Sequence, residues 1–361
     1  MMTAKLIRVL IVDDSSVARD ILRSLLEEQE GIEVVAEACN GKEAVELVQA
    51  LRPDLVTMDL NMPVMSGLEA IDYIMHHKAV PILVVSNESD AELAYEAVNC
   101  GALDVIAKPI LASDEAEIFI RQVRLLAGIP VITRLRRRSV EAPHPTRATL
   151  HPVLSATQSD LQKIFVIASS TGGPQVLASL LPQLQADFPA PILIAQHISD
   201  GFIEGMAQWL SGLCQLTVKV AEEGELLRAG FVYLSPSEQH LTVTSERRVK
   251  LKQRADRDIY RPSCDALLSS VADVCGRQAV GIIMTGMGRD GSEGMRAIYE
   301  KGGITLAQDE ASSVIYGMNA EAVSKGVIQH EMPLSSIAGE MLRIATLESA
   351  NYRTAVQRGR L

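Results

Sequence analysis

The sequence predicts two α/β domains in tandem, each built on a mostly parallel sheet. Three observations predict them. The 361-residue length exceeds one ordinary hydrophobic core. Apolar runs rich in Val, Ile and Leu alternate with helical patterns from Ile7 to about Leu126, and again from Leu161. The segment between these regions follows neither period.

In the first domain, assigned to residues 1–127, Arg8–Val12, Glu33–Ala36, Leu55–Met58, Pro81–Val85 and Asp104–Ala107 read as strands. Helical patterns such as Val17–Gln29 and Lys42–Leu51 lie between them. Five βα units in this length mean a five-stranded, parallel, doubly wound sheet with its site at the carboxyl ends of the strands. Residues 128–160 read as a linker, with Pro130, Pro143, Pro145, Pro152 and the cluster Arg134, Arg136, Arg137, Arg138. The arginines are expected to be solvated rather than bound to nucleic acid. Residues 161–361 form the second domain. Its strands are Ile164–Ala168, Pro191–Ala195, Phe231–Leu234, Ala279–Met284 and Gly303–Ala307. Leu216–Val220 and His240–Leu251 alternate like antiparallel strands, so an antiparallel edge is expected.

Composition narrows the function. Hydrophobic residues are 47% and charged residues 22%, as in an ordinary globular chain. A net charge of −11 argues against general nucleic-acid or membrane-surface binding. The apolar run before Asp13 is too short for a signal peptide, and no run approaches the ~20 residues of a membrane span. The five cysteines form no CxxC pair, so reduced thiols and a cytoplasmic location are expected.

In the first domain, Asp13 and Asp14 end the first strand, Asp59 the third, Ser86 the fourth and Lys108 the fifth. Three converging carboxylates repel one another, and a divalent cation relieves that repulsion. With a lysine and a hydroxyl beside them, they supply what an aspartyl phosphate requires. Any one aspartate alone would read as a loop residue; the matched set does not.

The second domain places Ser170, His197 and Asp290 each after an apolar strand. Ser170 sits in IASSTGG, at the mouth of a Gly-rich turn before a helix. That geometry exposes a nucleophile and offers free N–H groups to an oxyanion. Histidine and aspartate supply the base and its orienter. The order Ser, His, Asp and the absence of GxSxG exclude the usual α/β-hydrolase elbow. Each residue has a plainer role available: serine as a cap, histidine as structure, Asp290 as an N-cap of the helix after Gly291. Gly286 to Gly291 also spells GxGxxG, with Asp309 beyond it. A dinucleotide there is disfavoured, because the motif comes late in the domain and Asp290 would face a pyrophosphate.

Two resemblances follow from these residues. Asp13-Asp14, DLNMPVMSG around Asp59, VVSN at Ser86 and KP at Lys108 resemble the receiver domain of two-component response regulators. That resemblance implies a flavodoxin-like fold with Asp59 as phospho-acceptor. It implies Mg²⁺ held by Asp14, Asp59 and the Asn61 carbonyl with help from Asp13, and a phosphoryl group read by Ser86 and Lys108. Many receivers carry an aromatic switch residue where this chain has Val105, so a ring rotamer switch is not available.

STGG at Ser170, QH at His197, YLSPSEQH near Tyr233, YRPSCDALL near Tyr260 and MTGMGRDG ending at Gly291 resemble the chemotaxis protein-glutamate methylesterase (CheB) family. This resemblance implies Ser170 as nucleophile, His197 as base, Asp290 as orienter, and backbone N–H groups of Thr171 and Met287 as oxyanion donors. It implies no cofactor in the esterase domain. The implied substrates are glutamate γ-methyl esters, and glutamines, of chemoreceptors, and the implied phosphodonor is a chemotaxis histidine kinase. No nucleic-acid partner and no membrane insertion are expected. A receiver-controlled binding protein without turnover, or the same esterase in another receptor pathway, is the alternative. Where the family usually has glycine and a small residue before the nucleophile, this chain has Ala168 and Ser169. Adjacent strand residues face opposite ways, so only one of Ser169 and Ser170 can meet His197.

Overall fold

The computed structural model describes residues 6–111, 114–131, 163–255, 258 and 260–346. The first apolar alternation folds as β1 (Ile7–Val12), α1 (Ser16–Glu27), β2 (Ile32–Ala38), α2 (Gly41–Leu51), β3 (Leu55–Met58), α3 (Gly67–His77), β4 (Ile82–Ser86), α4 (Ala91–Cys100), β5 (Asp104–Ala107) and α5 (Asp114–Leu126). Local signals start the helices: Ser15 caps α1, Asn40 caps α2, and Ser66 with Glu69 forms a capping box on α3. Every residue of β3 and β4 is buried, as parallel strands covered on both faces require. The order is β2-β1-β3-β4-β5, all parallel. It reverses between β1 and β3, opening a crevice over the strand ends that carry Asp13 and Asp59.

The second region folds as β6 (Ile164–Ser169), α6 (Gly173–Leu180), β7 (Ile192–Gln196), α7 (Ile203–Leu213), β8 (Thr217–Val220), β9 (Phe231–Leu234), β10 (Gln239–Val243), β11 (Val249–Gln253), α8 (Cys264–Cys275), β12 (Ala279–Ile283), α9 (Ser292–Glu300), β13 (Ile304–Gln308), α10 (Met318–Ser324), β14 (His330–Met332) and α11 (Leu334–Thr346). Seven strands form one sheet, β14-β13-β12-β6-β7-β9-β8. Antiparallel pairing is present, in a separate two-stranded unit of β10 and β11. The expectation for Leu216–Val220 is corrected: β8 pairs parallel with β9, from Thr217 opposite Phe231 to Val220 opposite Leu234. An edge strand buried on one face alternates in polarity whichever way its neighbour runs, so alternation could not reveal direction. The short β14 was not anticipated. The linker arginines, with the rest of residues 132–162, lie outside the described residues. Among the described residues, no helix is long and apolar enough to cross a membrane.

The two domains share one apolar core. Buried residues of α4, including Tyr95 and Val98, belong to the same cluster as Ile203, Met206 and Trp209 of α7. The Tyr95 and Trp209 rings stack across the junction, centroids 5.4 Å apart. Gln175 Nε2 donates to the Ala102 carbonyl at 2.6 Å, and the Ala107 N–H donates to Ser199 Oγ at 3.3 Å. Gly205 makes this approach possible, because a Cβ there would lie 2.7 Å from the carbonyl carbon of Ala91 and as close to its Cβ.

That contact sets up an opposed pair of substitutions. Alanine normally stabilises a helix interior by about 1 kcal/mol over glycine. Gly212→Ala, where a Cβ would meet nothing within 4 Å, should raise the thermal midpoint. Gly205→Ala should instead part α4 from α7 and shift the emission of Trp209, the chain's one tryptophan, to the red. Unchanged emission in Gly205→Ala would show that the junction absorbs a methyl group.

Candidate functional site

Three adjacent central strands, β12, β6 and β7, end at the candidate active site. Backbone hydrogen bonds tie their exits together: His197 N–H to the Ser169 carbonyl and Ser170 N–H to the Thr285 carbonyl, each at 3.0 Å. The two serines then diverge. Ser169 Oγ is fully buried and donates to Gln196 Oε1 at 2.6 Å. Gln196 Nε2 in turn donates to the Ser170 carbonyl at 2.8 Å. Among the described residues, nothing hydrogen-bonds the Ser170 hydroxyl, and it makes no bond to His197 in this state. The turn needs its glycines for close approach. A Cβ on Gly173 would lie 1.8 Å from Gln196 Oε1, and one on Gly286 would lie 2.7 Å from Ser170 Cβ.

His197 Nε2 lies 2.8 Å from Asp290 Oδ2. Nε2 therefore carries the proton of the neutral ring, and Nδ1 is left as the base. Tyr260 stacks on the imidazole with ring centroids 5.2 Å apart. Asp290 is buried and saturated with donors. Its carboxylate accepts from Cys264 N–H at 2.6 Å, Asp265 N–H at 2.9 Å, Gly291 N–H at 3.1 Å and Ser263 Oγ at 3.2 Å. It thus occupies the N-terminus of α8, not that of the helix after Gly291. Burial pushes its carboxyl up, but the His197 bond and charge and the two α8 N–H groups outweigh that, and the net shift is downward. Its neighbour Asp265 moves the other way, to about 6, through burial and the Asp290 charge, against the Gly294 N–H that it accepts.

The Gly-rich loops leave backbone donors unused. Among the described residues, the Thr171 and Met287 N–H groups find no acceptor, whereas Gly286 N–H is held by the Ile315 carbonyl at 3.0 Å. Met287 is 38% exposed and faces a cavity of about 610 Å³ that it shares with Arg121, Arg124 and Leu125 of α5. Gln122, also on α5, donates from Nε2 to Thr171 Oγ1 at 3.1 Å. Asp104 of β5 faces the same hydroxyl. Burial pushes its carboxyl up to about 7, against the opposing Val105 N–H and Thr171 hydroxyl.

In the first domain, Asp13, Asp14 and Asp59 offer oxygens within 4.8 Å of one another. Lys108 Nζ lies 2.7 Å from Asp13 Oδ2 and 3.3 Å from Asp59 Oδ1, yet neither buried oxygen accepts a well-directed hydrogen bond. One ammonium facing three carboxylates leaves negative charge and spare oxygen ligands, which fit a hard cation such as Mg²⁺. Asn61 lines the crevice beside them. Ser86 is fully buried, its hydroxyl 3.5 Å from Asp90 Oδ2. Burial raises the Asp59 carboxyl to about 6; Lys108 opposes the rise and Asp13 adds to it. Val105 is a buried core residue.

The sequence reading missed Gln196, Tyr260, Ser263 and Cys264 as parts of the site, and Gln122 as a contact to it. QH and YRPSC stood out as motifs, but their partners lie far away in the chain.

This is a receiver joined to a serine-hydrolase-like α/β domain, and comparison with known proteins agrees. The profile described as CheB methylesterase matches residues 165–341, and that of the response regulator receiver domain matches residues 9–119. The protein-glutamate methylesterase/protein-glutamine glutaminase 3 of Paramagnetospirillum magneticum is 54% identical over 340 residues, 94% of this chain and 96% of that one. A namesake, number 2, from Anaeromyxobacter dehalogenans is 42% identical, with 92% and 95% covered. The crystal structure of the Thermotoga maritima CheB methylesterase catalytic domain matches with a TM-score of 0.50 and 34% identity, over 51% of this chain and 98% of that one. The chain belongs to the CheB family of protein-glutamate methylesterases/protein-glutamine glutaminases.

An acid such as Asp59, whose folded value lies above its unfolded one, binds more protons when folded, so the metal-free receiver loses stability as pH rises from about 4 to about 6 and stays less stable above that. Asp59→Asn should therefore raise the metal-free unfolding temperature at about pH 8, and the gain should fade toward about pH 4. A gain independent of pH would overturn this account of Asp59.

Proposed function

We propose that Ser170, His197 and Asp290 hydrolyse glutamate γ-methyl esters of chemoreceptors under the control of Asp59 phosphorylation. The observation that carries this reading is the His197–Asp290 pair at 2.8 Å, its carboxylate held as an anion by the α8 N-terminus, on the strand ends beside Ser170. Ser170 Oγ attacks the ester carbonyl while its proton passes to His197 Nδ1. The developing oxyanion meets the free N–H groups of Thr171 and Met287. His197 returns the proton to the leaving methoxide, and methanol departs. Water, deprotonated by the same nitrogen, then opens the acyl-serine to a glutamate carboxylate. With a glutamine in place of the ester, the leaving group is ammonia. Hydrogen bonds between nucleophile and base tighten when substrate binds, which accommodates the unpaired Ser170 hydroxyl of this state.

In the receiver, assigned to residues 1–127, Asp59 is the acceptor for a phosphoryl group from a chemotaxis histidine kinase. Asp13, Asp14, Asp59 and the Asn61 carbonyl would hold Mg²⁺, which neutralises charge on the phosphoryl oxygens when bound. Lys108 and Ser86 bind those oxygens from the protein side. The linker, residues 128–160, lets the receiver leave the esterase, residues 161–361. The docked state keeps α5 at the mouth of the site, and phosphorylation shifts the population toward the open state. Five cysteines, none in a disulfide, suit a cytoplasmic enzyme.

Methanol release from methylated receptor, with and without a small phosphodonor and Mg²⁺, tests the whole reading. Ser170→Ala should lose on the order of 10⁴–10⁶-fold in turnover. Ser169→Ala, which forfeits only a bond to Gln196, should keep measurable turnover. The reverse order would move the nucleophile to Ser169, and no release from the parent chain would favour a binding protein. Gln122→Ala, which frees Thr171 from α5, should raise the rate without phosphodonor severalfold and narrow the stimulation that phosphodonor gives. Parental values for both rates would remove Gln122 from the control of the site.

A further inference from the structure

His197 touches a group that the hydrolytic triad does not use. Cys264 opens α8 and is fully buried, with Sγ 3.6 Å from His197 Nε2 and 3.4 Å from the Ala195 carbonyl oxygen. Its backbone N–H holds Asp290, a duty any residue but proline could perform; the thiol is a separate feature. Ligand atoms of His197, Cys264 and Asp290 all lie within 4.8 Å of one another. Among the described residues, the other such cluster is the all-carboxylate set of the receiver.

The spacing is close to that of a metal site. Tetrahedral zinc binds nitrogen and oxygen at about 2.0–2.1 Å and thiolate at about 2.3 Å, which sets edges of roughly 3.3 Å for N···O and 3.5 Å for N···S. The Sγ–Nε2 pair at 3.6 Å already spans such an edge. The Nε2–Oδ2 pair, at 2.8 Å, would open by about 0.5 Å to reach it. The donor set of imidazole, thiol and carboxylate suits zinc-class ions and not Mg²⁺, which prefers the oxygens of the receiver.

We propose that the esterase centre is also an inhibitory site for a soft divalent metal ion of the zinc class, bound by His197 Nε2, Cys264 Sγ and Asp290 Oδ2. The effect on turnover rests on the catalytic reading above; the binding itself does not. On binding, the ion displaces the thiol proton to solvent and takes the Nε2 lone pair. The proton that neutral His197 carried on Nε2 moves to Nδ1, since a metal-bound imidazole keeps one N–H at neutral pH. The base is then already protonated, so His197 cannot accept the Ser170 proton. Metal therefore acts oppositely at the two ends of the chain, hard ions supporting activation at the receiver and soft ions stopping the esterase.

The test uses the full chain in saturating Mg²⁺, with Co²⁺ as a spectroscopic stand-in for zinc. The parent and Ser170→Ala should show a thiolate-to-cobalt charge-transfer band that Zn²⁺ competes away, and Cys264→Val and Cys264→Ser should lack it. Zinc should suppress methanol release by the parent at least tenfold, reversed by a chelator. At the same zinc concentration each Cys264 variant, compared with its own zinc-free rate, should be at least tenfold less sensitive. No band in the parent, or an equal band in both Cys264 variants, would overturn the site. Equal zinc sensitivity of parent and variants would overturn its inhibitory role. A band without any metal-free methanol release would instead support the site and sink the esterase reading.

Discussion

The esterase half is organised around one buried charge. Asp290 has no solvent to stabilise it, so the protein surrounds it with donors: three backbone N–H groups, one hydroxyl and the His197 ring. A lone ionised carboxylate at that depth would be costly; with these partners it is more acidic than usual. Two structural results follow from the same bonds. The loop after β12 is tied to the start of α8. And Nε2 of His197 is committed to the carboxylate, so the ring can offer only Nδ1 toward the serine turn. Tyr260, stacked on the ring, limits the remaining rotation.

A second constraint is the shared core between the domains. The receiver does not dock by its phosphorylation crevice. It docks by α4, β5 and α5, leaving the crevice beside Asp59 and Lys108 open as a cavity of about 620 Å³. The phosphoryl-binding end and the hydrolytic end are nonetheless joined by short links. Lys108 contacts Asp13 and Asp59, and the preceding residue, Ala107, gives its N–H to Ser199, two residues beyond His197. At the other end of the interface, Gln122 holds Thr171 next to Ser170. Val105 is buried, and an aromatic contact across the junction is made instead by Tyr95 against Trp209. Undocking would expose apolar surface on both partners, so a change at Asp59 must offset that cost to free the site.

The sheet strands were legible because burial on both faces writes continuous apolar runs, and β3, β5 and β9 match their expected bounds. Polar residues that end those runs were legible as site residues, since strand ends in such sheets converge. What could not be read depends on residues distant in the chain. Strand alternation and the following TGG pointed to Ser170 over Ser169, but the partner that occupies the Ser169 hydroxyl, Gln196, lies 27 residues away. The plainer role open to Asp290 was a cap for the helix that follows it; it instead accepts from the start of α8, which begins 26 residues earlier. The direction of β8 and the contacts of Gln122 and Trp209 likewise belong to the assembled fold. No local period or motif records them.

Asp59 and Asp290 make the division of labour physical. Both are buried aspartates that follow core strands, and burial pushes both carboxyls up. They differ in what surrounds them. Asp290 is saturated by fixed backbone dipoles and a histidine, so its charge is settled by the fold and it serves as a permanent orienter. Asp59 has one lysine, shared with Asp13, and an oxygen with no well-directed donor. Its charge is left incompletely balanced, and a cation or covalent attachment of a phosphoryl group changes that balance. A site whose electrostatics are finished by the fold is suited to repeated turnover. A site left unfinished is suited to a switch, because the missing charge must come from outside the chain.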